Sequence, residues 1–404
     1  MESTTVLQRF GPVTPNPEDG RLLGESITFE FSRRTMISRI YKAAIAERMY
    51  SWDQSDPSAR GTPSDRLIRL YEVWGRGRYG LIITGNITVD STHIETPGNG
   101  IISKSNSTFT HIEQFRRMAS AGKAHGSLVL MQLSHAGRKA PGYINSHPVS
   151  AGDVRLDEQA AIPYAQPTPL TKEGIDEIIG QFVYAAATAY RAGFDGIQLH
   201  ASSGYLLSQF LSTATNNRSD DYGGNIENLS DVKNLCQMLE GLGLDFIELS
   251  GGTYHSPKSQ CHSVSPMKEF LQQISPSLSK TLVFICGGFR SSENMAAAIR
   301  DGYCASIGLG QPSGSDPLLP SQIISGQLGG ATKPDPDHRD PTVLPWATLT
   351  QMEAIARGKV PIDLSDPEVL REYNRRARIF EEERTEGLKQ GHVKAGHLVW
   401  EDTA

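Results

Sequence analysis

Seven short apolar runs recur along the chain, and between them the apolar positions fall into helical spacing. RIYKAAIA (39–46), GLIITGNITV (80–89), SLVLMQLSHAG (127–137) and FDGIQLHAS (194–202) come first; LDFIELSGG (244–252), TLVFICGG (281–288) and CASIGLG (304–310) follow. Runs this apolar predict strands buried on both faces, as in a parallel sheet covered by helices. SDRLIRLYEVWGRG predicts a helix capped at Ser64 or Asp65 and stopped by glycine. HIEQFRRMASAGKA predicts a second, and TKEGIDEIIGQFVYAAATAYRAG a third with Thr171 as its N-cap. Several runs end in Gly, His or a polar residue, as expected where β→α loops build a site at the C-terminal rim of a barrel. The pattern therefore predicts an α/β fold, a (β/α)8 TIM barrel, with one strand short of the full count.

Three stretches depart from the alternation. Residues 138–170 are rich in Pro and Gly and read as a long loop over the barrel mouth. Residues 211–243 hold a polar loop, TATNNRSDDYGGN, and then one helix, IENLSDVKNLCQMLEGLG, which runs straight into LDFIELS. From about residue 334 the chain turns polar and ends in a charged helical pattern, VLREYNRRARIFEEER, the simplest reading of which is a solvated helix packed on the outside. The domain division is thus a barrel over 1–335 and a polar C-terminal extension over 336–404.

Composition narrows the function classes. A net charge of −6 with no basic run argues against a nucleic-acid surface. Cys236, Cys261, Cys286 and Cys304 show no CxxC spacing, which fits reduced thiols and no zinc site. No stretch is long enough for a membrane span, and the N-terminus lacks a signal-peptide pattern, so a soluble cytoplasmic protein is the expectation.

The turn HASSGYLLSQFLS (200–212) presents an imidazole and a phenol from one short segment. Alone it is equally a capped strand with a core histidine. Set beside MQLSHAGRKA (131–140), NNRSDDYGGNIEN (216–228), SGGTY (250–254), CGGFRS (286–291) and IGLGQP (307–312), it resembles the old yellow enzyme family of FMN-dependent ene-reductases, over roughly residues 5–330. The resemblance implies FMN across the barrel mouth, NAD(P)H as its reductant and a small-molecule substrate of enone type, which the long mouth loop suggests is bulky. It implies no nucleic-acid or membrane partner and is compatible with a homo-oligomer. It places His200 as a donor to the substrate carbonyl, Tyr205 as the proton donor to the α-carbon, and Ser203 where a second carbonyl donor stands. Gln132 falls at the flavin pyrimidine edge, where an amide can both donate and accept. Gly287, Gly288, Gly308 and Gly310 fall around the phosphate, and Ala43, Ala46 and Asn86 against the cofactor.

The sequence also departs from the family pattern. Ser203 is shorter than the usual Asn or His, Ala46 replaces a Thr or Cys, and Gln311 replaces a phosphate-binding Arg. In relatives a fifth strand, with a cation for flavin N1–O2, follows the YGGxxEN segment; here that strand and part of its helix are missing. These changes imply weak FMN binding. They leave open a flavin-poor relative that works as a non-redox isomerase or epimerase, or a binding protein.

Overall fold

The computed structural model describes residues 8–157, 162–224, 226, 228–250, 268–334 and 343–401. Residues 251–254 of SGGTY, Cys261 and the 335/336 division lie outside the described residues.

Each apolar run forms a strand of one parallel sheet: β1 Ile40–Lys42, β2 Leu81–Thr88, β3 Leu128–Ser134, β4 Gly196–Leu199, β5 Phe246–Ser250, β6 Leu282–Cys286 and β7 Ser306–Leu309. The ladder runs β5–β6–β7–β1–β2–β3–β4. This is the order of a (β/α) barrel, each strand beside its predecessor. β2 is buried along its whole length, whereas β4 and β5, the two ends of the ladder, are half-buried and finish exposed. Among the described residues no backbone ladder joins them, but the Gln198 amide of β4 donates to the Glu248 carboxylate of β5 at 3.1 Å.

Two helices begin where the caps predict: Ser64 Oγ accepts from the Leu67 N–H at the start of α1 (Asp65–Arg76), and Thr171 accepts from Gly174 at the start of α3 (Lys172–Arg191). Thr108, which no sequence signal had singled out, caps α2 (Phe109–Lys123). A short α4 (Leu206–Leu211) follows β4, and α5 (Leu229–Gly241) starts with a reciprocal capping box between Asn228 and Asp231. α6 (Lys268–Ile274) and α7 (Ser292–Arg300) complete the outer layer. α1 turns Leu67, Leu70, Tyr71 and Trp74 onto the sheet, each worth roughly 2 kcal/mol of apolar burial. The barrel floor is closed by an N-terminal hairpin, Ile27–Thr28 against Thr35–Met36, whose Phe29 packs on Phe246 and Phe284.

The C-terminal extension is more than a solvated helix. α8 (Val343–Ala356) contributes Leu349, Met352 and Ile355 to the core against α1. α9 (Pro367–Lys389) buries Leu370 and Tyr373. The chain beyond it returns to the barrel mouth, where His397 Nε2 bonds the Glu47 carbonyl at 2.7 Å. The sequence concealed this because the apolar α8 pattern lies just past the Pro/Asp-rich stretch.

Candidate active site

The mouth of the barrel is shaped by turns after β2, β3 and β4. After β4, Ser203 (φ 56°) and Gly204 (φ 75°) occupy the left-handed region in succession. That reverses the chain sharply enough to lay Tyr205 on His200, with ring centroids 4.3 Å apart. For serine this conformation costs about 1–2 kcal/mol. Gln209 holds the turn in place, its amide donating to the Gly204 and Ala136 carbonyls.

Burial pushes the His200 imidazole down to about 4, so the ring is neutral near pH 7. Ser202 Oγ lies 3.2 Å from its Nδ1. With that hydroxyl donating, the proton sits on Nε2, which is then a hydrogen-bond donor. Tyr205 is 5% exposed. Its hydroxyl bonds to the Glu95 carboxylate, and the Lys139 ammonium lies 4.8 Å from its ring while donating to the Ser203 carbonyl at 2.9 Å. Burial alone would raise the Glu95 carboxyl. The charges of Arg48 and Lys139 and hydrogen bonds from Tyr205 and Asn86 outweigh it and lower it below its ordinary value. Sequence reading singled out His200 and Tyr205 but missed Ser202, Glu95, Lys139 and Arg48; no local pattern marks residues that meet only across loops.

Gln132 is buried, and its amide donates to Gln198 at 2.8 Å. Asn86, opposite Gln132 in the β2–β3 register, donates to Glu95 and accepts from Asn99. Ala43 and Ala46 lie on the segment after β1. A buried network fixes that segment: Glu47 Oε1 accepts from Tyr71 at 2.6 Å and from the Gly85 N–H at 2.9 Å, with Lys42 Nζ 3.6 Å away. Ser203 is exposed at the tip of its turn.

At the ends of β6 and β7, Gly287 (φ 137°) and Gly288 (φ 71°) take a backbone path that a side chain would resist. Beside them the Arg290 guanidinium bonds the Gln311 side-chain oxygen. Gln311, which stands where the family pattern has an Arg, is thus held by a guanidinium from the neighbouring loop. A glycine pair with exposed backbone and a guanidinium suits a phosphate, and the buried Gln132 amide suits a flavin pyrimidine edge. At the β4–β5 end, by contrast, the ionisable group is an acid, Glu248, raised by burial. The donor set thus fits FMN at its phosphate and pyrimidine ends.

Asp90, His93 and His135 form the one metal-like cluster among the described residues. His93 Nε2 accepts from the Val149 N–H at 3.1 Å, so its Nδ1 carries the proton donated to Asp90 at 3.0 Å. His135 Nδ1 accepts from the Gly137 N–H at 3.1 Å, so its Nε2 also carries a proton, 3.7 Å from Asp90. Both nitrogens that face the carboxylate are protonated, leaving no lone pair for a cation. The cluster is a clasp for the mouth loop.

Residues 29–230 match the family described as NADH:flavin oxidoreductase / NADH oxidase. The NADH-dependent flavin oxidoreductase nadA of Aspergillus parasiticus is 37% identical over 408 residues, covering 89% of this chain and 90% of that protein. The NADH-dependent flavin oxidoreductase iccE of Talaromyces variabilis is 29% identical, covering 80% of this chain and 91% of that one. Among solved structures, morphinone reductase superposes with a TM-score of 0.63 at 20% identity, over 86% of this chain and 96% of that chain. The old yellow enzyme homologue from Zymomonas mobilis gives 0.61 at 21% identity, over 76% and 94%.

Proposed function

The chain belongs to the NADH:flavin oxidoreductase / NADH oxidase family, and from that premise we propose that it reduces the C=C bond of an α,β-unsaturated carbonyl compound. It is an NAD(P)H:FMN oxidoreductase, in which bound FMN supplies the hydride-carrying chemistry. Gln132 would hold the pyrimidine edge; Gly288, Gly310 and Arg290 would hold the phosphate. Ala43, Ala46 and Asn86 would line the ring.

The observation that carries the reading is the His200–Tyr205 turn. A neutral His200 with Nε2–H can donate to a carbonyl oxygen and stabilise the negative charge that develops there, without bringing a full cation into the site. Tyr205 lies on the same turn, so one backbone conformation sets both the carbonyl donor and the proton donor for the α-carbon. Ser203, exposed and short, would assist His200 only through a bridging water.

We further read the open β4–β5 end as a family barrel from which a segment between α5 and β5 is absent. An alignment of 408 positions that takes in 89% of a 404-residue chain leaves dozens of positions facing a gap in this chain. The family match also ends at residue 230, in the first turn of α5. Both observations support that reading.

Anaerobic stopped-flow spectroscopy tests the chemistry by separating the two half-reactions. Tyr205→Phe should slow flavin reoxidation by 2-cyclohexenone at least tenfold while changing flavin reduction by NADH less than twofold, because no substrate proton moves in that step. Equal slowing of both steps, or of neither, removes Tyr205 from the mechanism.

A further inference from the structure

A cavity of about 380 Å³ opens beside the active site. Its walls are residues 48–52, residues 62–64 with Arg66 at the start of α1, and Ala395–Gly396 of the returning tail. Two arginines, Arg48 and Arg66, line it, and no lining residue is acidic. Arg48 pairs with Glu95 at 3.7 Å and Arg66 with Glu353 at 3.2 Å.

Three observations mark Arg48 as placed for a ligand. Its backbone has φ 53°, a left-handed conformation that a non-glycine residue keeps only where its surroundings impose it. Its Nε is buried and has no hydrogen-bond partner among the described residues. Its guanidinium also lies 5.0 Å from the Trp346 ring, which braces the side chain from α8. The tail residues that line the cavity carry no acid, and the nearby His397 is held neutral, pushed down to about 3 by burial and then by the charge of Arg48. Ser64 caps α1 at the same wall, so the positive end of that helix faces the cavity too.

The cavity joins the catalytic turn through one residue. Arg48 pairs with Glu95, and Glu95 bonds the Tyr205 hydroxyl. A ligand whose reactive ring lies at His200 and Tyr205 could therefore extend an anionic group to Arg48. We propose that this cavity binds the diphosphate of NADH, with Arg48 and Arg66 as its cationic clamps. The inference rests on the family's use of NADH and deepens it by assigning residues outside the flavin site to the dinucleotide. The shared chemistry is that of an oxyanion, and an acidic group on the organic substrate is the competing source.

The test uses the FMN-loaded full chain and two readouts. Isothermal titration with ADP-ribose measures the dinucleotide's diphosphate without turnover. Arg48→Met and Arg66→Met should each weaken its binding about tenfold to hundredfold, as expected for loss of a hydrogen bond to a charged group. The second readout compares flavin reduction by NADH with that by 1-benzyl-1,4-dihydronicotinamide, a hydride donor without phosphate. The kcat/KM ratio of NADH to the benzyl compound should fall at least tenfold in each variant, which a general loss of folding would not produce. ADP-ribose binding that is unchanged in both variants, or an unchanged ratio, overturns the proposal. So does a variant that loses affinity for a carboxylate-bearing enone but not for ADP-ribose, since that assigns the cavity to the substrate. If the wild-type chain oxidises neither donor, the family reading of its reaction fails, and the titration still decides the cavity.

Discussion

At the scale of single residues, the site is built from side chains whose charge is controlled by burial and by one or two partners. His200 stays neutral because the turn buries it, and Glu95 stays ionised because Arg48 and Lys139 offset its burial. At the proposed phosphate corner a guanidinium comes from the neighbouring loop. Gln311 stands where a family arginine would, yet Arg290 reaches it from the β6 loop. Arg290 is also lowered to about 10 by burial, so a phosphate there would meet a guanidinium poorly screened by water. Arg290→Met should therefore raise the FMN dissociation constant at least tenfold, about 1.4 kcal/mol, whereas Gln311→Ala should change it less than threefold. The recovery of free FMN fluorescence on dilution measures both. A larger loss in Gln311→Ala would return the phosphate contact to Gln311.

At the scale of elements, the mouth loop is held by acceptors on imidazole rings. His93 Nε2 receives the Val149 N–H and also lies 3.2 Å from the Asn145 amide, while its other nitrogen is tied to Asp90. Burial pushes the Asp90 carboxyl up, but His135 and His93 hold it far below the usual carboxylate range, so the anchor stays charged. Removing the ring leaves a buried N–H without its acceptor, at about 1–3 kcal/mol. His93→Ala should raise hydrogen exchange at Val149 at least tenfold while leaving β2 and β3 protected. Unchanged exchange at Val149 would mean that the Val149–Thr168 pairing, not the clasp, holds the loop.

At the scale of the whole molecule, no backbone ladder joins β4 to β5 among the described residues, and three histidines are held neutral. Leu199 at the end of β4 is 50% exposed and Val183 on α3 is 63% exposed, while the core of β2 is fully covered. Apolar surface lies bare where the ladder stops. The histidines set the acid response. His135 and His200 are pushed down to about 4 and His397 to about 3, each chiefly by burial. Their folded values lie below the ordinary 6.5, so between about pH 4 and 6.5 the unfolded chain binds more protons than the folded one. Stability therefore rises with pH across that window and falls as the solution is acidified, by up to about 1.4 kcal/mol per pH unit for each histidine. Urea midpoints should drop steadily from pH 7 to pH 5, and His397→Gln should flatten that slope. A slope unchanged in the variant would show that His397 is not buried as a neutral ring.

The sequence by itself determined the strands and their order, because a strand covered on both faces must be apolar throughout, and that pattern is local. It also marked the helix starts at Ser64 and Thr171, since a cap bonds only to its own first turn. Within the site it pointed to His200, Tyr205 and Gln132, which sit on or beside strand ends and carry the family's motifs. What it could not give are the relations between loops far apart in the chain. Glu95 reaches Tyr205 across 110 positions of sequence, Arg290 comes to Gln311 from a different strand end, and α8 returns an apolar face to α1 after a polar stretch. Such pairings are chosen by how the curved sheet packs its loops over one mouth. Their physical reason is burial and charge balance in three dimensions, for which spacing along the chain carries no trace.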